Sequence, residues 1–166
     1  MSSIILRADT PCSYPTAVGA SIKTAVGNTA TPIAIFKNTT TIDNLRGLMQ
    51  KIEALTYNPS VDTAVCIQLV GGVEAVGGSF SAITGSELEI NTTATGFTGG
   101  KTALTLYSYS SASHGNSPAS SSATEVEAEN LGLQLFVNQT FAIVAFTIAN
   151  TATVDLAWSV NWIEKD

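Results

Sequence analysis

The chain has 166 residues, 45% of them hydrophobic and only 12% charged, about half the roughly 25% charge of an average globular protein. That length suits one domain with a real core. The net charge of −6, with seven Lys and Arg scattered along the chain, excludes a phosphate-binding stripe and hence nucleic acid as a partner. The first residues, Met1-Ser2-Ser3-Ile4-Ile5-Leu6-Arg7, lack the basic and long apolar regions of a signal peptide, and no run approaches the ~20 apolar residues that span a membrane. A soluble protein made in a cytoplasm is expected. A charge-poor, Ser/Thr/Gly-rich surface is common in β assemblies whose faces become interfaces.

In chain order, residues 1–31 are short apolar pieces broken by Thr10-Pro11, Tyr14-Pro15, Gly19 and Gly27-Asn28. An extended N-terminal arm with one or two short strands is expected there, followed by a domain over residues 32–166. Strand-like runs then recur at 33–37, 63–70, 79–83, 87–91, 103–109, 131–136, 141–149 and 154–163. Turn signals separate them at Asn58-Pro59, Gly71-Gly72, Gly77-Gly78, Gly99-Gly100 and Asn150-Thr151. Residues 42–57 are ambiguous. Ile42, Leu45, Leu48 or Met49, Ile52 and Leu55 recur at helical spacing, yet Gly47 weakens a helix by about 1 kcal/mol, and a strand from about Met49 is preferred.

The end of the chain is the clearest segment. Val154, Leu156, Trp158, Val160 and Trp162 alternate with Asp155, Ala157, Ser159 and Asn161, the period of a strand with one buried and one wet face. Residues 140–148 are apolar on both faces, which suits a central strand covered on each side. Trp158 and Trp162 are expected to pack, with Trp162 the one that faces a neighbouring subunit if either does. Short strands at near-regular spacing with Gly-rich turns give an all-β fold, an antiparallel β-sandwich of jelly-roll type.

Chemistry-bearing patterns are sparse. Gly96-Phe97-Thr98-Gly99-Gly100-Lys101-Thr102 has three residues between Gly96 and Gly100 where a phosphate loop needs four, and a strand follows, so a β-turn explains it better. His114 is the only histidine; it cannot build a zinc site alone, and no Gly-x-Ser-x-Gly elbow supports a triad. Glu87 with Glu89, and Glu125 with Glu127 and Glu129, share strand faces by alternation; a glycosidase pair or a weak calcium site is the sharper alternative. Tyr107 and Tyr109 lie on one strand face, a sugar platform if exposed and co-planar. Asn38-Thr39-Thr40, Asn91-Thr92-Thr93 and Asn138-Gln139-Thr140 match glycosylation sequons, which mean little without a secretory route. Cys12 and Cys66 are expected to stay reduced, and Cys66 falls inside a strand pattern. Residues 108–124 are Ser-rich and too polar to pack, a surface loop or a contact segment. No catalytic, metal or cofactor-binding residue is assigned, and an enzyme is not expected.

The run Leu131-Gly132-Leu133-Gln134-Leu135-Phe136-Val137-Asn138-Gln139-Thr140-Phe141-Ala142-Ile143-Val144-Ala145 resembles a pattern in β-sandwich virion proteins of tailed bacteriophages. The ending, Val154-Asp155-Leu156-Ala157-Trp158-Ser159-Val160-Asn161-Trp162-Ile163-Glu164, is similar to the finish of the same proteins, and Phe36-Lys37-Asn38-Thr39-Thr40 to their early strand-to-loop junction. Val137-Asn138 stands where that family often has Pro-Gly. The resemblance implies a virion structural component, made in the host cytoplasm: a capsid decoration or cement protein, homo-oligomeric with a trimer favoured. Its partners would be the major capsid protein or another virion protein, with no nucleic acid or membrane, and an arm near 1–14 reaching a neighbour. The alternative is a receptor- or carbohydrate-binding head of a tail or capsid fibre.

Overall fold

The computed structural model describes residues 23–41, 45–112, 122–127, 132–149 and 151–165; the N-terminal arm expected before residue 23 lies outside them. The strands are β1 (Lys23–Val26), β2 (Thr31–Asn38), β3 (Arg46–Tyr57), β4 (Thr63–Val76), β5 (Ser81–Ala82), β6 (Leu88–Asn91), β7 (Gly96–Ser110), β8 (Ser122–Glu127), β9 (Gln134–Leu135), β10 (Thr140–Thr147) and β11 (Val154–Lys165). They make two antiparallel sheets: β1-β11-β3-β8, with β9 beside β3, and β5-β6-β2-β10-β4-β7.

The pairing defines the fold. β1 pairs β11, β2 pairs β10, β3 pairs β8 and β4 pairs β7, all antiparallel. These four ribbons are then joined by β11 to β3 and by β10 to β4. First strand with last, second with next to last, and so on inward, is a long hairpin rolled on itself: a jelly roll. β5 and β6 form an excursion between β4 and β7 that pairs along the free edge of β2.

Burial explains why these segments become these strands. Val154, Leu156, Trp158, Val160 and Trp162 are all buried on the inner face of β11. Strand β10 lies between β2 and β4 and is buried on both faces. Its Phe141, Ile143 and Ala145 join the main core between the sheets. Its Ala142 and Val144 join a smaller core on the outer face, with Ile35, Val70, Val73 and Ala94 and with Phe80 and Phe97 packed against them. The excursion over residues 77–95 thus packs Phe80 and Ala94 onto the outer face of the second sheet. At the centre, the Phe36 ring from β2 meets Trp158 edge-on at 5.7 Å and Trp162 at 5.9 Å, and Phe141 lies 6.3 Å away. Trp162 is 0% exposed, so it packs inside its own subunit rather than facing a neighbour.

One local expectation holds and two change. The strand preferred from about Met49 is present and starts at Arg46; its helical spacing arises because β3 carries a bulge: Asn161 pairs Lys51 while Trp162 pairs Met49, which leaves Gln50 extra. The inward set therefore runs Leu45, Gly47, Met49 and then Ile52, Ala54, Thr56, and the step of three imitates a helix. Next, Gly71-Gly72 and Gly99-Gly100 are not turns between strands. They lie inside the long β4–β7 ribbon and pair across it, Gly71 with Lys101 and Val73 with Gly99. Gly100 has φ +87°, and a Cβ there would lie 2.7 Å from Val73 Cγ1 and 2.8 Å from Val70 Cγ1, so the tight crossing requires glycine. Finally, the Ser-rich stretch is in part core: Ser108 and Ser110 are buried on β7. The Thr56 hydroxyl lies 2.9 Å from Ser108 Oγ and 2.7 Å from Ser110 Oγ, a tie between the two sheets. Residues 113–121 of that stretch lie outside the described residues.

Asn38 is a second polar tie. Its amide donates to the carbonyls of Leu45 (3.1 Å) and Leu135 (2.9 Å), and its Oδ1 accepts from the Thr40 N–H. Trp162→Ala should destabilise the protein by about 3–5 kcal/mol through the cavity it leaves. Asn38→Ala should cost about 1–3 kcal/mol, because buried carbonyls lose their donor. Urea titration followed by tryptophan fluorescence for Asn38→Ala, and by far-UV circular dichroism for Trp162→Ala, measures both.

Candidate functional site

The residues marked by their chemistry do not converge. Glu87 and Glu89 flank Leu88, whose side chain is buried, as alternation requires. The Glu87 N–H donates to Glu164 Oε1 at 3.0 Å, and the Ser86 hydroxyl donates to the same oxygen. Trp162 Nε1 donates to it at 3.3 Å, so the buried Glu164 carboxylate fastens the excursion to the last strand. Among the described residues no group of three His, Cys, Asp or Glu side chains is placed to hold a metal ion. His114 and Glu129 lie outside those residues. The Gly96–Thr102 run is strand, with no turn and no helix after it.

Two of the three sequons are turn chemistry. Asn38 and Asn91 are 0% and 1% exposed. Each side-chain oxygen accepts the N–H two residues on, from Thr40 at 3.1 Å and Thr93 at 3.0 Å, which is the Asx turn. Asn138 has φ +62° in the turn closed by Gln139 N–H to Phe136 C=O at 2.9 Å. Asparagine tolerates this left-handed position, so Val137-Asn138 makes the tight turn without Pro-Gly.

What the fold does create is a contrast between its two outer faces. On the first sheet, Lys51 Nζ lies 2.8 Å from Glu53 and 3.0 Å from Glu125, and Ser159 Oγ donates to Glu53 at 2.9 Å. Those carboxylates hold the Lys51 ammonium well above its usual range, and Lys51 and Ser159 hold the Glu53 carboxyl below its own. The second sheet is different. Register places Tyr107, Cys66 and Phe146 in one outer row, and Thr105, Gln68 and Val144 in the next. Tyr109 opposes Ala64, whose carbonyl accepts from the Ile148 N–H. No residue of these rows is charged. Tyr107, Tyr109 and Ile148 are 66%, 56% and 55% exposed.

This neutral patch lies beside the outer cluster to which the excursion adds Phe80 and Ala94. It continues to β7, which among the described strands pairs only with β4 and carries one charged residue, Lys101, in its 15. A long edge with so little charge is an open template for association. The tyrosines were visible in the sequence. Phe146 and Ile148 were not, because a strand apolar on both faces does not say which face stays wet.

Cys66 lies beneath Tyr107 and Phe146, 3% exposed, and burial pushes its thiol up from the ordinary range. Iodoacetamide at pH 8 should leave native Cys66 unmodified and alkylate it once the protein is unfolded in urea, as peptide mass spectrometry would show. The depressed Glu53 contributes stability above the ordinary carboxylate range, and that contribution is lost as pH falls through its lowered folded value. Hydrogen exchange of the β8 amides should therefore accelerate, relative to β10, as the protein is taken from pH 6 to pH 3.

The chain matches no protein-family model, no curated protein and no solved structure.

Proposed function

We propose that this chain is a structural protein of a tailed-phage virion, one that decorates or cements the capsid by binding the shell and further copies of itself. The observation that supports this most is the uncharged patch on the outer face of the second sheet, the rows of Tyr107 and Thr105, with Tyr107, Tyr109 and Ile148 exposed. Exposed large apolar side chains grouped on one face mark interaction sites, and tyrosine is enriched in the centres of interfaces. A chain of net charge −6 repels its own copies, and a face free of carboxylates is where that repulsion matters least. The likeness of the last two long strands to those of phage β-sandwich virion proteins points the same way. In this reading the protein works by binding, as a homo-oligomer with a trimer favoured, and uses no catalytic residue or cofactor.

A second reading, a carbohydrate- or receptor-binding head, draws on the same two tyrosines, since exposed rings on one strand face are what a sugar platform needs. One pair of substitutions separates the two. Tyr107→Ser with Tyr109→Ser removes exposed rings and should leave the far-UV circular dichroism spectrum and thermal midpoint within about 2 °C of wild type. On the decoration reading, the double variant loses attachment to empty capsids in sedimentation assays and shifts to monomer in light scattering. Undiminished attachment would refute it. Glycan-array binding by wild type that the variant lacks would move the assignment to the second reading.

A further inference from the structure

The inner face of β4 runs Val65, Ile67, Leu69 and then Gly71, where the core layer has no side chain. Register puts Gly71 in one row with Phe141 on one side and Lys101 on the other. A Cβ built on Gly71 would meet no atom within 4 Å, and its backbone lies outside the left-handed region. Neither crowding nor conformation therefore requires glycine here, unlike Gly100 in the same ribbon. Gly71 lines a cavity of about 480 Å³ between the sheets, within the size range of small-molecule pockets. Met49, Leu133, Leu135 and Phe141 give it apolar walls. Its polar groups are Lys101, Gln134, Gln139 and Thr140. Lys101 is exposed at the sheet edge and makes no ion pair among the described residues.

We propose that this cavity is a binding site for an amphipathic carboxylate, an unbranched apolar chain held between the sheets with its anionic head at Lys101. The walls match the chain, and one cation at the mouth, in a chain of net charge −6, selects the sign of the head. Strand-interior glycine marks a bulge or close approach by a ligand; the register does shift between Leu69 and Val70, yet Gly71 itself has room for a side chain and an ordinary backbone. The site is separate from the tyrosine face, so its fate does not depend on the virion reading.

Dodecanoate below its micellar concentration is the probe, with dodecyltrimethylammonium as the chain of equal length and opposite head. The sequence has two methionines, Met1 and Met49, so ¹³C-methyl-methionine labelling of the full chain gives a two-signal spectrum in which Met49 reports on the cavity wall. Dodecanoate should shift the Met49 methyl signal saturably at one equivalent per chain, and the cationic probe should bind at least tenfold more weakly. Gly71→Leu should weaken dodecanoate binding at least tenfold while the thermal midpoint stays at or above wild type. Lys101→Glu should erase or invert the preference for the anionic head. An unshifted Met49 methyl in the wild-type protein overturns the proposal, as it would if a segment of this chain or a second copy already filled the cavity. Equal affinity for both heads overturns it too, because the site would then hold only an apolar anchor. If Gly71→Leu fails to fold, the wild-type Met49 titration with the two probes decides alone.

Discussion

The contact on which this structure depends is Phe36 wedged between Trp158 and Trp162. Phe36 comes from the centre of one sheet and the tryptophans from the centre of the other, with ring centroids 5.7 and 5.9 Å away. Edge-to-face geometry adds about 0.5–1.5 kcal/mol per pair beyond the apolar area buried. Its larger consequence is positional. Rings this bulky on one row fix how the two sheets lie over each other, and the smaller Ile, Val, Leu and Ala side chains of the main core fill in around them.

Polar ties then make the packing unique. Thr56 with Ser108 and Ser110 links the sheets at one edge. Asn38 binds the end of β2 to the segments around Leu45 and Leu135, and Asn91 holds the excursion through the Gly77 carbonyl at 3.2 Å. Glu164 ties that excursion to β11. Buried polar groups stabilise only when satisfied, so each tie accepts one arrangement of the surrounding loops and penalises others. Apolar burial supplies the driving force, and these hydrogen bonds choose among the ways of obtaining it.

The same economy shapes the surface. Lys51, Glu53 and Glu125 sit on the first sheet, Glu164 is spent internally, and on the second sheet Lys37 lies over the Phe80 ring of the excursion. The first sheet thus carries an ion-pair cluster, while the rows of Tyr107 and Thr105 on the second are free of charge. Tyr107, Tyr109 and Ile148 stay bare beside those rows.

Some of this was legible in the residues alone. The alternation of Val154 to Trp162 and the two-faced apolarity of residues 140–148 mark one strand with a single covered face and one covered on both, because side-chain period and burial are local properties; that the two sit in different sheets is not local. An all-β sandwich follows from such strands and the turns between them. The ribbon pairing had to come from the tertiary structure, since glycine pairs signal turns equally well when they sit opposite each other inside a ribbon, as Gly71-Gly72 and Gly99-Gly100 do. So did the bulge at Gln50, which disguised a strand as a helix, and the burial of Ser108 and Ser110, which depends on Thr56 arriving from the other sheet. The tyrosine face and the cavity at Gly71 are the least local of all. Exposure and empty space are set by what every other segment fails to cover, and no window of sequence contains that.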